Sequence, residues 1–471
     1  MPRPPDPAAV EDLKAAVGAG GWLESPTDIA PFLEDFRRLY RGATPLVLLP
    51  KSLDEVRLIM QICHRQEIAV VPHGGNTSYC GAATPDASGS QIVLAMRRLN
   101  RVREIDAVND SMIIEAGCTL AAAQQAARDA SRLFPLSLGS EGSAQIGGNL
   151  ATNAGGTAVL RYGMMRDLVL GLEVVLADGR VLRALKKLRK DNTGYDINSL
   201  FIGSEGTLGV ITAAALKLYP LPADTATAIV GTESPDTALA LLTRLRAVAG
   251  DQVTAFELLP RRAVELTVRY VAGVADPLAT VDSWYVLVEL SSPNPNRELT
   301  DFLAAELEAA GAAASALIAS SLAQAAAMWK LRESVPEAQR HHGASLKHDL
   351  SVPVSSVPQL IARGTELAGR LAPDGEVIAY GHVGDGNLHF NVSQKSGTDR
   401  AVFLARQAAL EEAMFDLAGS LGGSFSAEHG IGRLKAAQLE RRTDPVQFAL
   451  MHALKRMLDP LGILNPGKVL T

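Results

Sequence analysis

The run Pro72-His-Gly-Gly-Asn-Thr-Ser-Tyr-Cys-Gly81 continues directly from the strand-like segment Ala69-Val-Val-Pro72. A strand that feeds paired glycines and hydroxyl side chains can cradle an anion. Glycine permits close backbone approach and positive φ, successive amides form a nest, and Thr77 and Ser78 add hydroxyl donors. The run lacks the lysine of a P-loop and the glycine spacing of a Rossmann turn. Taken alone it fits a tight structural turn equally well. Upstream, Ser52-Leu-Asp-Glu55 is a capping box that opens a helix, with Val56, Ile59, Met60, Ile62 and Cys63 at helical spacing.

A second polar stretch makes coincidence harder to sustain. Residues 135 to 163 read Pro-Leu-Ser-Leu-Gly-Ser-Glu-Gly-Ser-Ala-Gln-Ile-Gly-Gly-Asn-Leu-Ala-Thr-Asn-Ala-Gly-Gly-Thr-Ala-Val-Leu-Arg-Tyr-Gly. Almost without charge, this stretch would pack poorly as a core but can wrap a large polar ligand through its backbone. A hairpin is predicted from Leu172 to Leu182 around Asp178-Gly179. The basic run Lys186-Lys187-Leu-Arg189-Lys190 reads as a solvated loop. After Asp191-Asn-Thr-Gly-Tyr-Asp196 comes a third glycine-rich turn, Ile202-Gly-Ser-Glu-Gly-Thr-Leu-Gly-Val-Ile211. The first half therefore reads as a nucleotide-binding α/β unit.

Beyond Leu218-Tyr-Pro-Leu-Pro-Ala223 the texture changes. Strand-like runs at 226–231, 255–259, 284–290 and 346–352 alternate with helical runs at 235–248, 263–271, 297–310, 322–331 and 353–370. This predicts α+β layers with helices covering one sheet face. Amphipathic segments at 401–421 and 445–458 close the chain, and no internal repeat is evident.

The second half also carries the ionisable clusters. In Tyr380-Gly-His-Val-Gly-Asp-Gly-Asn-Leu-His-Phe390 the pair Asp385-Gly386 is a two-residue turn signal. Folding about it pairs His382 with His389, which brings both imidazoles to one face about 5 Å apart at Cβ. Asn391 points to the same face. Ser426-Ala-Glu-His-Gly-Ile-Gly-Arg433 then adds Glu428 and His429. Two imidazoles and a carboxylate around an open position suit a catalytic divalent metal, with His382, His389 and Glu428 as ligands. The bland alternative is a polar hairpin with ordinary surface histidines.

At 471 residues the chain has room for two or three domains. Its 47% hydrophobic and 20% charged residues are ordinary for a globular protein. A net charge of −6 argues against a broad nucleic-acid footprint. Cys63, Cys80 and Cys118 form no metal-type cluster, and their odd number fits a reducing compartment. The start, Met-Pro-Arg-Pro-Pro-Asp-Pro, has no signal-peptide core, and no run approaches the ~18 apolar residues of a transmembrane segment. A cytoplasmic protein is expected.

With the loops and clusters in this order, the chain resembles the FAD-dependent D-2-hydroxy-acid dehydrogenases from about Arg41 to Lys468. These form the D-2-hydroxyglutarate and D-lactate dehydrogenase branch of the vanillyl-alcohol-oxidase superfamily. The resemblance implies an α+β protein with a bipartite FAD-binding domain of the vanillyl-alcohol-oxidase type at 1–220. It also implies an α+β substrate-binding domain with an antiparallel sheet at 221–425. A segment at 426–471 would return to the FAD domain, carry part of the active site and end on Asn465-Pro-Gly-Lys468.

Pro72, Gly74, Gly75, Asn76, Thr77, Ser78 and Gly81 would hold the pyrophosphate of FAD. Pro135, Gly142, Ser143, Gly147, Gly148, Asn149, Thr152, Asn153, Gly155, Gly156 and Gly163, with Glu205, Gly206, Gly209 and Ile211, would line the rest of the cofactor. Some relatives attach flavin through a histidine after the paired glycines. Asn76 stands there in this chain, so non-covalent FAD is expected and His73 reads as structural.

Arg332 and Lys347 match residues that hold the substrate carboxylate in D-2-hydroxyglutarate relatives. A threonine four residues after that arginine is replaced here by Pro336, which has neither hydroxyl nor N–H. His429 is the expected general base, and Asn391 is expected on the substrate carboxylate. Zinc is the first choice of metal, with Mn²⁺ or Fe²⁺ chemically acceptable. The expected reaction oxidises D-2-hydroxyglutarate, with D-malate next, to the 2-oxo acid. Hydride passes to flavin, and electrons pass to a separate acceptor such as electron-transfer flavoprotein or a quinone/cytochrome system. No nucleic-acid partner is expected, and a homodimer is left open. Competing readings are a D-lactate or glycolate dehydrogenase, an oxidase using O₂, and a non-catalytic FAD-binding subunit. The complete set of candidate roles argues against the last.

Overall fold

The computed structural model describes residues 3 to 470, which divide into two compact units. The first takes the chain up to 155, residues 163–221 and everything from 428 onward; the second takes 156–162 and 222–427. Among the described residues no helix is long and apolar enough to cross a membrane. Cys63, Cys80 and Cys118 are buried and form no disulfide.

In the first unit the helix Leu53–Gln66 begins where its cap dictates, the Ser52 hydroxyl accepting the Glu55 N–H at 3.2 Å. Its apolar stripe and that of Pro7–Val17 pack with a four-stranded sheet. The order is Trp22–Leu23, Val47–Leu48, Ile92–Ala95, Val70–His73, the last three parallel. The tail of the chain extends this sheet. The Val70 N–H donates to the Ile463 carbonyl, and the Asn465 N–H donates to that of Val70, both at 2.8 Å. A second sheet of five antiparallel strands runs Val102–Asp106, Ser111–Glu115, Val210–Lys217, Val169–Val175, Val181–Ala184. Its last two strands are the hairpin around Asp178-Gly179. The basic run is an exposed loop, as expected, in which Lys187 also pairs with Glu104 and Asp106 and Lys186 with Asp191.

The second unit is built on two antiparallel sheets. One runs Val253–Pro260, Trp284–Ser292, Asp224–Thr232, Ala316–Ile318; the other runs Ser345–Ser351, Asn387–Gln394, Gly375–Tyr380. They join edge to edge where Leu258 and Gly381 exchange N–H···O bonds of 2.9 and 3.0 Å. Alternation sorts the side chains of the three-stranded sheet. Leu346, Leu350, Leu388, Phe390 and Val392 enter the main core with the helices Val357–Leu371 and Gln407–Ser420. Lys347, Asp349, His389 and Asn391 therefore take the other face, with Lys347 opposite Asn391 and Asp349 opposite His389.

Three local expectations are revised. The segment 401–421 is two helices, Arg400–Leu404 and Gln407–Ser420, and the helix expected from Pro353 begins at Val357 after a short 3-10 turn. Gly156–Tyr162, in the middle of the second glycine-rich stretch, belongs to the second unit. There Leu160 packs on the main core, and Arg161 donates to the carbonyl and hydroxyl of Ser291 at 2.7 and 2.6 Å.

The histidine hairpin is also not the tight one expected. Tyr380, not His382, faces His389, and residues 381–386 form the connection. A two-residue turn of that type needs positive φ at both central positions. Of the pair, Gly386 alone has it, at 87°. A Cβ on Gly386 would lie 2.1 Å from the Val352 carbonyl oxygen, so packing against a neighbouring segment shapes this turn. The register slip is two residues, and with a side-chain period of two the faces are preserved.

The return of the tail rests on Asn465, whose side-chain amide donates to the carbonyls of Ala82 at 3.0 Å and Glu205 at 2.8 Å in the interior. Asn465→Ala should destabilise the protein by roughly 1–3 kcal/mol through buried carbonyls that lose their donor. Urea unfolding measures this, and an unchanged midpoint would show that other contacts hold the tail.

Candidate active site

In the first unit the glycine loops meet at very short range. A Cβ on Gly75 would stand 2.0 Å from the Ser143 carbonyl oxygen, while Gly74 lies over Gly148. Gly142 and Gly148 instead face open space. Among the described residues, the amides of Gly75, Asn76, Thr77 and Ser78 donate to no protein acceptor. The Asn149 amide nitrogen and the Gln145 side-chain oxygen are buried and equally unpartnered. Orphaned donors along a glycine-lined cradle fit a large anionic cofactor such as a flavin dinucleotide.

Individual residues sort themselves around this cradle. Asn76, at φ 53°, donates its side-chain amide to the Glu34 carbonyl at 2.8 Å. Gly206 backs onto the ring of Pro72, Gly147 onto Ala116 and Gly209 onto Val174 and Phe201. The Thr152 hydroxyl bonds the Gly148 carbonyl, and the Asn153 side chain accepts the Arg166 N–H. Ile211 pairs with Val174 in the sheet. His73 is buried beside Phe32, and burial holds it down to about 4, so its imidazole is neutral near pH 7.

Glu205 grips the tail: its carboxylate accepts the Ile431 N–H at 2.7 Å and the Gly432 N–H at 2.9 Å. Burial pushes its carboxyl up to about 7 against the pull of those two amides. Just before this grip lie Glu428 and His429, both in the first unit. The His429 ring is 4.5 Å from that of Tyr79, and the Cys80 carbonyl accepts the Arg433 N–H at 2.8 Å.

In the second unit the polar sheet face carries the other candidates. The rings of His382 and His389 lie 5.6 Å apart and nearly perpendicular. Nδ1 of His382 is 2.6 Å from Oε1 of Glu257, and Nδ1 of His389 is 3.6 Å from Oδ1 of Asp349. Asp349 is further held by the Asn387 side-chain amide at 3.0 Å. Arg332, from the helix Leu322–Glu333, donates Nε to the second oxygen of Glu257 at 2.6 Å and stacks 5.0 Å over the Tyr380 ring. Burial pushes the Glu257 carboxyl up, yet the charges of Arg332 and His382 pull it down to about 2. Asn391 is buried and donates to Gln339 at 2.9 Å, while Lys347 is exposed. Pro336 sits exposed in the first turn of the helix Val335–His342, where a missing N–H costs nothing. Ala427, the last residue of this unit, donates its N–H to the Asp349 carbonyl at 3.3 Å, and Glu428 is its covalent neighbour.

Sequence reasoning missed Glu257 and Asp349. The available signal was a carboxylate in an otherwise apolar strand, Ala255-Phe-Glu-Leu-Leu259, and another in Leu346-Lys-His-Asp-Leu350.

The family described as FAD linked oxidases, C-terminal domain, matches residues 221–469, and that described as FAD binding domain matches residues 44–185. The chain is 36% identical over 468 residues to the mitochondrial D-2-hydroxyglutarate dehydrogenase of Arabidopsis thaliana, covering 99% of this chain and 82% of that protein. It is 40% identical to the mitochondrial D-2-hydroxyglutarate dehydrogenase of Bos taurus (98% and 83% covered). It is 35% identical to the D-2-hydroxyglutarate dehydrogenase of Xanthomonas citri pv. viticola (97% and 96%). Among solved structures, alkyldihydroxyacetonephosphate synthase superposes with a TM-score of 0.76 at 19% identity (99% and 85% covered). p-Cresol methylhydroxylase does so at 0.75 and 17% (98% and 96%). These two likenesses show the fold alone; together with the two family matches it is the FAD-binding fold of the vanillyl-alcohol-oxidase type. The chain belongs to the FAD-dependent D-2-hydroxy-acid dehydrogenase family. Its cofactor is FAD.

Glu205 gives a pH signature. Its folded-state carboxyl titrates at about 7, above the ordinary 4.5, so the native protein binds that proton more tightly than the unfolded chain. Stability from this group is fully present below the ordinary value and is lost as pH rises toward about 7. The stability of the wild type relative to Glu205→Gln should therefore fall across that window in thermal melts. A difference that stays flat with pH would mean that Glu205 ionises normally.

Proposed function

We propose that this enzyme oxidises D-2-hydroxyglutarate, with D-malate as its nearest alternative, to the 2-oxo acid. In this reading His382, His389 and Glu428 hold a divalent metal, zinc foremost, and His429 is the general base. The observation that carries it is the polar sheet face on which His382 and His389 meet, each with Nδ1 turned to a carboxylate. Such partners orient imidazoles that ligate through their other nitrogen. The names of the Arabidopsis, bovine and Xanthomonas relatives support the diacid.

When bound, the metal stabilises negative charge on the substrate hydroxyl and FAD accepts the hydride from C2. The rest falls to the chain's own residues. His429 removes the hydroxyl proton, a task suited to an imidazole near neutrality. Asn391 has two amide hydrogens, of which one goes to Gln339, and the other is assigned to the substrate carboxylate. Arg332, held by Glu257, and Lys347 are the two cationic groups assigned to the second carboxylate that distinguishes a diacid from a monoacid. D-lactate would present only a methyl group to these donors, and unpaired polar groups in a closed site enforce discrimination. Electrons are proposed to leave to a separate acceptor, electron-transfer flavoprotein or a quinone/cytochrome system. A cytoplasmic location and a homodimer are compatible with this reading.

Anaerobic bleaching of the flavin by a panel of D- and L-hydroxy acids tests the substrate. D-2-hydroxyglutarate should reduce it fastest, and Lys347→Ala should harm the diacid far more than D-lactate. Equal losses would remove Lys347 from the distal carboxylate, and a wild-type preference for D-lactate would overturn the diacid reading.

Chelation should abolish turnover while FAD stays bound, with partial recovery on Zn²⁺ or Mn²⁺, and His382→Ala should behave like the chelated enzyme. His429→Ala should keep its metal and lose roughly 10²-fold in flavin reduction, the range of a lost general base. Full activity in metal-free protein sinks the ligand set, and metal loss in His429→Ala would make that residue a ligand.

A further inference from the structure

We propose that Glu257 is a positioning residue that ties the imidazole of His382 to the guanidinium of Arg332, so that metal binding and substrate-carboxylate binding are set by one buried carboxylate. The inference rests on the reading above, in which His382 is a metal ligand and Arg332 faces substrate.

Glu257 lies in the strand Val253–Pro260 between Phe256 and Leu258, fully buried, in a setting where an unpaired carboxylate would be costly. Its two oxygens go to different partners. Oε1 takes Nδ1 of His382 and Oε2 takes Nε of Arg332, each at 2.6 Å. A carboxylate on Nδ1 selects the tautomer with the proton there, which makes Nε2 the lone-pair nitrogen. On the other side, fixing Nε fixes the plane of the guanidinium fork, and Tyr380 backs that plane at 5.0 Å.

The main chain adds to the side-chain grip. Phe256 accepts the Gly384 N–H at 3.2 Å, and Leu258 exchanges two hydrogen bonds with Gly381. Three consecutive residues of one strand thus hold the connection on which His382 sits, the outer two by backbone and the central one by its carboxylate. A residue that only neutralised Arg332 would not need this alignment on His382. Because one group serves both partners, the two binding events should be linked, and linkage is reciprocal.

The test uses FAD-loaded wild-type and Glu257→Gln enzyme titrated with buffered Zn²⁺, retained metal being measured by elemental mass spectrometry. Zinc affinity should weaken roughly 10-fold or more in Glu257→Gln, the scale of a lost outer-shell partner. FAD content should stay constant, and in the zinc-saturated variant KM for D-2-hydroxyglutarate should rise more than kcat falls. Glu257→Asp, which keeps the charge, should recover part of the zinc affinity. A lone buried Arg332 threatens folding, so the double variant Glu257→Gln with Arg332→Gln carries the same zinc measurement without it. Wild-type zinc affinity in either folded variant, while His382→Ala loses zinc, overturns the inference and leaves the metal reading standing. A wild-type enzyme that binds no divalent metal overturns the metal reading and this inference with it.

Discussion

Backbone meets backbone at Gly75, where any side chain would collide with the Ser143 carbonyl, and the first unit is arranged around that approach. Bringing two polar loops this close requires residues without Cβ atoms and leaves a row of amides pointing away from protein acceptors. A unit organised in this way is incomplete without an anionic ligand. The tail pairs with Val70, in the strand that leads into the first of these loops, and the Glu205 carboxylate accepts its Ile431 and Gly432 amides. The C-terminal segment is thus hydrogen-bonded into the unit that carries the cradle, although the two lie far apart in the chain.

The second unit obeys a different constraint. Its three-stranded sheet has one apolar face given to the core, so every ionisable residue of alternate register must find partners on the other. The partners are mostly carboxylates: Glu257 for His382 and Arg332, Asp349 for His389. The Glu257 carboxylate balances the Arg332 guanidinium and takes the Nδ1 side of the His382 ring, while Asp349 lies 3.6 Å from Nδ1 of His389. Burying Glu257 is tolerable because the Arg332 guanidinium balances its charge and Nδ1 of His382 occupies its other oxygen.

Pro336 illustrates how position tempers a substitution. At the first turn of the helix Val335–His342 a proline costs the backbone nothing, but it supplies no hydroxyl to a ligand.

Much of this was legible in the sequence because it is encoded over a few residues. Ser52 and Glu55 mark a helix start, the apolar spacing from Pro445 to Leu458 spans the helix that forms there, and paired glycines announce the cradle. The convergence of His382 and His389 survived an error in register, since a slip of two residues preserves the face. What the tertiary structure alone decided depends on segments distant in the chain. Gly386 turns as it does because Val352 crowds it, Gly156–Tyr162 packs with strands a hundred residues onward, and Glu205 closes on amides of Ile431 and Gly432. Glu257 reaches His382 across 125 residues. Periodicity and turn chemistry specify local form, whereas the partner of a buried charge is fixed only when packing brings two strands together and removes water from between them.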